Sequence, residues 1–299
     1  MGYLSQASNF IRHARIVYYT REYSSVISHY LLSRRPATEI HDAISSVHSY
    51  VMFIGIGRSG TTLIGSLLDA HPRMIIANEQ NTLKYVRLGL IPRAQIYWLL
   101  IKNSRDSAHA GRIGGGGYKY AVPGQSQGEF DTLEVIGDKS RSGRTVAWLN
   151  STPVLLDRLA TVTQARIRII QVIRNPFDTI ATRSIRRKLP LEQIYREYFA
   201  LCEKLQRLIS RIDEISDLDV ERIPVSLEDF IEQPDMHLEA ICEKLGVSAD
   251  NDYLQACAGI VYKQPNKSRF KVSWDKKLVE EIEERLENIP FLQRYSFDD

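Results

Sequence analysis

The sequence predicts an α/β fold of three layers, with a central parallel sheet covered by helices and an N-terminal helical extension. Three observations predict it. Short apolar runs rich in β-formers, Val51 to Ile56 and Arg166 to Ile173 foremost, alternate with stretches of helical spacing, which implies parallel strands joined by helical crossovers. Two of the strand-to-helix junctions carry glycines or helix caps suited to a tight turn. The 299 residues, 43% hydrophobic and 25% charged, suit one large core with excursions better than two full domains. Residues 1–49 are expected to form the extension and residues 50–299 the α/β domain.

Composition narrows the class. A net charge of +3 is too small for a nucleic-acid surface but compatible with a local basic pocket for an anionic small molecule. Cys202, Cys242 and Cys257 are odd in number, lack C-x-x-C spacing and read as reduced buried thiols. No apolar run is long enough to span a membrane, no signal peptide is visible, and Gln6 stands where N-myristoylation wants a hydroxyl. A cytoplasmic protein is expected. Oligomeric state is not legible.

In chain order, residues 1–49 hold many aromatic and basic side chains, among them Tyr18, Tyr19, Tyr23, Tyr30, Arg12, Arg15, Arg21, Arg34 and Arg35. Helices broken near Arg35-Pro36 are expected, packed on the core in preference to resting on a partner or membrane surface. Val51 to Ile56 reads as a strand, interrupted by Gly55, Gly57 and Gly60, and helical spacing resumes from Thr61 to Ala70. Strand, glycine turn and helix converge backbone N–H groups and a positive helix end on one point, a ready phosphate site. The spacing Gly55-x4-Gly60 is P-loop-like, but Thr61 stands where that loop carries lysine, and the cation is Arg58, inside the loop. The plainer alternative is a turn whose glycines serve packing alone.

A second short strand is expected from Arg73 to Ala77, ending at Asn78-Glu79, then helices from Thr82 to Leu88 and from Ala94 to Lys102. The glycine-rich stretch 111–128 is a loop, of the kind that often covers a substrate. Leu133 to Ile136 reads as a strand closed by Gly137-Asp138-Lys139-Ser140. Thr152 to Val162 reads as a helix, and Arg166 to Ile173 as the strongest strand. Pro190 to Ile212 is a long helix, Val220 to Val225 a strand, Met236 to Leu245 a helix stopped by Gly246. A basic loop, Lys263 to Lys271, precedes a charged helix from Asp275 to Leu286.

The strand ending at Ile173 runs into Arg174-Asn-Pro-Phe-Asp, where Asn175 is a good N-cap and Pro176 suits the first helical position. Arg174 then stands at a strand's carboxyl end, where open α/β sheets bind ligands. Thr182 and Arg186, four apart, share a helix face and would complete a second phosphate grip. A capped helix with a solvated basic face is the alternative. Two anion sites at strand-to-helix turns favour one ligand with phosphate at both ends.

At these residues the chain resembles the sulfotransferases that use 3′-phosphoadenosine 5′-phosphosulfate. Arg58-Ser-Gly-Thr-Thr62, with Leu-Leu-Asp-Ala-His-Pro behind it, looks like their 5′-phosphosulfate loop, and Val172-Ile-Arg-Asn-Pro-Phe-Asp followed by Thr182 like their 3′-phosphate segment. The run from Arg58 to Glu79 is similar to tyrosylprotein sulfotransferases, where a glutamate at that offset serves as base; the overall look is that of bacterial sulfotransferases of unassigned acceptor. The resemblance implies that Arg58, Ser59, Gly60, Thr61 and Thr62 hold the 5′-phosphosulfate and that Arg174, Thr182 and Arg186 hold the 3′-phosphate. It implies Lys139 near the transferring group. It also implies that Lys267-Ser-Arg-Phe-Lys271, with Ser268, Arg269 and Lys271, closes over the nucleotide before Trp274. Ser226-Leu227-Glu228-Asp229 lacks the tyrosine that this family often shows there, so adenine must stack elsewhere. His109 is the one histidine placed as a rival base.

The expected reaction is in-line sulfuryl transfer to an acceptor hydroxyl on a sugar, lipid or small metabolite. Glu79 is the general base, adenosine 3′,5′-bisphosphate the product, and no metal is required. Position and charge do most of the work, as in phosphoryl transfer, and Arg58, the loop N–H groups and Lys139 would stabilise the leaving oxygen. Two alternatives stand beside it: a small-molecule or nucleotide kinase using magnesium and ATP, and a nucleotide-binding module without catalysis.

Overall fold

The computed structural model describes residues 22–38, 40–114 and 117–299. Five strands, β1 (Ser49–Gly55), β2 (Met74–Asn78), β3 (Val135–Lys139), β4 (Arg166–Ile173) and β5 (Val220–Ser226), form a parallel sheet in the order β2-β3-β1-β4-β5. All seven residues of β1 are buried, as expected of a central strand covered on both faces. Its side chains alternate: Val51 and Phe53 join one core, Tyr50, Met52 and Ile54 the other.

The first core lies under α2 (Thr61–Leu68), α10 (Pro234–Leu245) and α11 (Asn251–Ile260). The opposite core lies under α4 (Arg93–His109), α7 (Pro176–Arg187), α8 (Leu191–Asp213) and α12 (Lys276–Glu287). The helix after β1 therefore covers one face and the helix after β4 the other. Where two neighbouring parallel strands send their helices to opposite faces, a crevice opens at their carboxyl ends. Here that crevice lies between Gly55 and Ile173.

Of the extension, residues 22–33 form a helix, α1, followed by a 3-10 turn at Pro36–Thr38. The helices expected in residues 1–21 lie outside the described residues, as do Gly115 and Gly116 of the glycine-rich stretch.

Several boundaries differ from the sequence expectation, each for a physical reason. β3 does not stop at Ile136 but runs to Lys139. Gly137 is no terminator there: a Cβ on it would sit 2.4 Å from the Val51 carbonyl oxygen, so the glycine lets β3 lie close on β1. α4 continues past Lys102 to His109 because Asn103 and Ser104 have tertiary partners; Asn103 Oδ1 accepts from the Asn78 N–H at 2.7 Å and Ser104 Oγ donates to Asp69 at 2.6 Å. The helix expected over Thr152 to Val162 starts three residues later, as α6 (Leu155–Thr163), and α5 (Ser142–Ser151), which ends just before Pro153, was not anticipated. α3 (Leu83–Leu88) lies where expected, whereas α9 (Leu227–Glu232) and α11 were not anticipated, although Ser226 and Asp250 cap them by accepting from the Asp229 and Tyr253 N–H groups. The three cysteines are buried and free, and burial pushes the Cys202 thiol up to about 12.

Candidate active site

The turn after β1 is shaped by three residues of left-handed backbone, Gly55, Arg58 and Gly60. A Cβ on Gly55 would lie 2.7 Å from the Val172 carbonyl oxygen, and one on Gly60 would lie 2.4 Å from Leu227 Cδ1. Glycine at both positions lets the turn press against β4 and α9. Helix α2 opens at Gly60 with no side-chain cap and no acid in its first turn, so its leading N–H groups and positive end face outward unclaimed. Ser59 Oγ is buried in this turn without a hydrogen-bond partner.

The turn after β4 is fixed by Asn175, whose Oδ1 accepts from the Phe177 N–H at 3.0 Å, with Pro176 next in the helix. The Arg174 guanidinium reaches back across the crevice. It donates to the Arg58 carbonyl at 3.2 Å, to the Asn266 carbonyl at 2.6 Å and to Thr182 Oγ1 at 3.5 Å, and Thr182 Oγ1 in turn meets Ser268 Oγ at 3.0 Å. The two turns thus form opposite walls of one cleft of about 280 Å³. Arg58, Gly60, Thr61, Thr62, Arg174, Thr182, Arg186, Ser268 and Lys271 all line it. Three guanidinium groups share its wall, and Arg58 is pulled below the usual arginine range by burial and by the charges of Arg186 and Arg174. The carboxylate on the same wall, Glu228, is engaged elsewhere: it accepts from the Asn175 N–H at 2.9 Å and lies 3.2 Å from Tyr295 Oη. The cleft's charge is suited to an anion.

Two of the residues expected to hold the nucleotide lie off this cleft. Ser59 is directed beneath the turn. Arg269 is 1% exposed and ion-paired with Asp178 at 2.9 Å, while its own N–H donates to the other Asp178 oxygen at 2.9 Å. Burial raises the Asp178 carboxyl despite that partner. Arg269 is therefore a brace, holding the loop with Asn266, Ser268 and Lys271 against α7. Trp274 reinforces it by donating Nε1–H to the Arg269 carbonyl at 2.9 Å. Asp178→Ala strands a buried guanidinium, so its unfolding free energy should fall by about 3–5 kcal/mol. A urea midpoint equal to wild type would show that the pair does not anchor the loop.

Glu79 directly follows β2 and Lys139 ends β3, on the same carboxyl edge of the sheet. The Glu79 N–H donates to the Lys139 carbonyl at 3.0 Å, Lys139 Nζ donates to Glu79 Oε1 at 3.3 Å and Arg141 Nε to Oε2 at 2.8 Å. Lys139 is nearly buried, its stem running beside α2 where a Cβ on Gly65 would meet Lys139 Cγ at 3.1 Å. Glu79, with φ of 60°, is held by its neighbours: buried Asp138 accepts from the Gln80 and Thr82 N–H groups and from the Thr82 and Ser140 hydroxyls. Glu79 lines not the main cleft but a depression of about 190 Å³ with Asn81, Arg141 and Arg144. His109 is the exposed last residue of α4 and lines neither.

The sequence did not single out Tyr118, Tyr120 and Tyr262, which form an aromatic wall of the main cleft. The Tyr118 and Tyr262 rings meet edge to face at 5.9 Å, and Tyr120 packs on Gly114, where a Cβ would lie 2.6 Å from its ring. The two tyrosines beside the glycine-rich run were the available signal. Asp69, in the Leu-Asp-Ala-His-Pro run, has a structural part. Its buried carboxylate pairs with Arg112 and accepts from the Ile76 and Gly128 N–H groups, tying α2 to β2 and to the glycine-rich segment.

No family model matches the sequence, and no curated relative matches it. Sulfotransferases are among the solved structures that the chain resembles. One from Alicyclobacillus acidocaldarius is 16% identical, with a TM-score of 0.43 over 82% of this chain and 94% of that one. STF1 from Mycobacterium tuberculosis is 14% identical, with a TM-score of 0.44 over 85% and 81%. Mouse SULT7A1, solved in complex with PAP, is 13% identical, with a TM-score of 0.38 over 80% and 74%. Such similarity is too distant to assign any residue a role, which must come from the cleft itself.

Proposed function

We propose that the chain transfers a sulfuryl group from 3′-phosphoadenosine 5′-phosphosulfate to the hydroxyl of a small-molecule, sugar or lipid acceptor. The observation that carries this reading is that the turn around Arg58 and the segment Arg174–Thr182–Arg186 share one cleft, close enough for Arg174 to bond the Arg58 carbonyl at 3.2 Å. One ligand with anionic groups at both ends suits that arrangement. The donor set fits such a ligand: uncapped N–H groups of α2 with Arg58 and Thr62 for one end, Arg174, Thr182, Arg186 and Ser268 for the other. Tyr118 and Tyr262 offer flat rings between them against which a purine could stack.

Strand order supports one direction for the bound nucleotide. Along the carboxyl edge stand Glu79 after β2, Lys139 ending β3, the Arg58 turn after β1 and Arg174 after β4. A nucleotide with its 3′-phosphate at β4 and its 5′ end at β1 points the transferable group toward Lys139 and Glu79. The bound donor supplies an activated sulfuryl group. Arg58 and the loop N–H groups would neutralise charge gathering on the leaving oxygen. Lys139, whose ammonium is destabilised by burial and supported by Glu79, would stand beside them as a further donor. Glu79 would take the acceptor's proton.

Thr61 in place of the P-loop lysine weighs against a magnesium-ATP kinase, whose outer phosphates need that charge. Thermal shift separates the two. Adenosine 3′,5′-bisphosphate without metal should raise the melting temperature as ligand linkage requires, by about 2.7 kcal/mol of stabilisation at a hundredfold excess over Kd, whereas ATP with magnesium should not. A response confined to ATP with magnesium would reverse the assignment.

A further inference from the structure

Helix α1 presents its faces the wrong way round for a helix lying on a core. Inward it turns Glu22, Val26, His29 and Ser33, three of them polar. Glu22 pairs with Arg87 at 3.7 Å, His29 Nδ1 lies 3.1 Å from Tyr85 Oη, and Ser33 Oγ lies 3.2 Å from Gln95 Oε1. Outward it turns Tyr23, Ile27, Leu31 and Leu32, which are 47%, 51%, 61% and 51% exposed. Residues 23, 27 and 31 succeed one another at four-residue steps and form one stripe. Of twelve large hydrophobic side chains exposed among the described residues, four stand on this single helix, so the patch is not the scatter any surface shows.

Charge indicates what covers the stripe. Residues 1–38 contain Arg12, Arg15, Arg21, Arg34 and Arg35 against one acid, Glu22, which is the residue turned inward to Arg87. Over residues 1–49 the five arginines face Glu22, Glu39 and Asp42, and none of these three acids lies on positions 23–38. Arg34 and Arg35 are exposed directly after the stripe, and Arg34 lies over the Tyr30 ring at 5.8 Å. An apolar stripe with tyrosine at one end, arginines at the other and no outward acid matches a bilayer surface with anionic headgroups. The aliphatic side chains enter the acyl boundary while the guanidiniums stay among the phosphates. A second copy meeting this one through the same face would set Arg34 and Arg35 against their own counterparts, and residues 1–21 carry three further arginines and no acid to offset them.

We propose that α1 docks the protein on an anionic membrane surface through Tyr23, Ile27, Leu31 and Leu32, with Arg34 and Arg35 at the headgroups. This goes beyond sulfuryl transfer and does not depend on it. The helix is nonetheless tied to the Glu79 turn, since Gln80 Nε2 donates at 2.7 Å to the same Tyr85 hydroxyl that His29 meets.

The test is cosedimentation of the full chain with vesicles of roughly one-third phosphatidylserine in phosphatidylcholine, against phosphatidylcholine alone. Wild type should sediment with the anionic vesicles and be released by high salt. The double variant Ile27→Asp/Leu31→Asp should partition at least about tenfold less at an unchanged melting temperature. Arg34→Glu/Arg35→Glu, which leaves the stripe intact, should also weaken binding. The proposal is overturned if wild type ignores the anionic vesicles, or if the aspartate variant partitions as well as wild type. It is equally overturned if that variant melts earlier, which would mean the face is covered by this chain's own residues, or if it splits a dimer seen by light scattering.

Discussion

Glu79→Gln is expected to lower kcat by about 10²- to 10⁴-fold, the range general-base loss typically produces, with the affinity for adenosine 3′,5′-bisphosphate unchanged. Glutamine keeps the shape and accepts from Arg141 through its amide oxygen, but it cannot take a proton. Affinity should hold because β3 and β1 stand between Glu79 and the Arg174 end of the cleft, and Glu79 is outside its lining. The pH profile adds a second readout. Burial alone would raise the Glu79 carboxyl, but the Arg141 hydrogen bond and the Lys139 charge outweigh it and leave it below the usual glutamate range. A base with a lowered pKa is ionised throughout the neutral range, so activity should be lost only as pH falls through that lowered value. Arg141 is largely exposed, and Arg141→Ala should move the acidic limb up toward the ordinary carboxylate range. Wild-type turnover in the glutamine variant would remove Glu79 from the mechanism.

The lowered pKa also shows how far the sequence went. The cations that act on Glu79 are Lys139 and Arg141, because β3 lies between β1 and β2 and its carboxyl end stands beside Glu79. Strand order is a long-range property, and nothing local to Lys139 announces that it will stand beside α2. What was legible was local chemistry. Strand β4 begins and ends where its apolar run does, and Asn175-Pro176 marks the start of α7 because an Asx cap and an N1 proline act within three residues. Gly137 was misread as a stop because the close approach it permits is to another strand. Arg269 was read as a ligand group from the resemblance of its loop to the family's. That it folds inward depends on Asp178, ninety-one positions earlier. The aromatic wall escaped notice for the same reason: Tyr118 and Tyr262 meet only in the folded chain.

Arg174→Ala should weaken adenosine 3′,5′-bisphosphate by roughly 10- to 150-fold, the equivalent of about 1.5–3 kcal/mol for charge-assisted hydrogen bonds. A loss of affinity alone would be ambiguous, since Arg174 also bonds the Arg58 and Asn266 carbonyls and its removal loosens both walls. Ligand truncation resolves the ambiguity in the manner of a double-mutant cycle. Adenosine 5′-phosphosulfate lacks the 3′-phosphate, so it should bind wild type and variant with nearly equal affinity if Arg174 acts on that phosphate. If the variant weakens both nucleotides by the same factor, Arg174 is a structural clasp between the two turns, and the grip on the far phosphate falls to Arg186 and Thr182. Titration calorimetry of two proteins against two nucleotides decides between a contact and a clasp. A coupling near zero would leave the cleft basic yet unable to read which end of the nucleotide carries the extra phosphate.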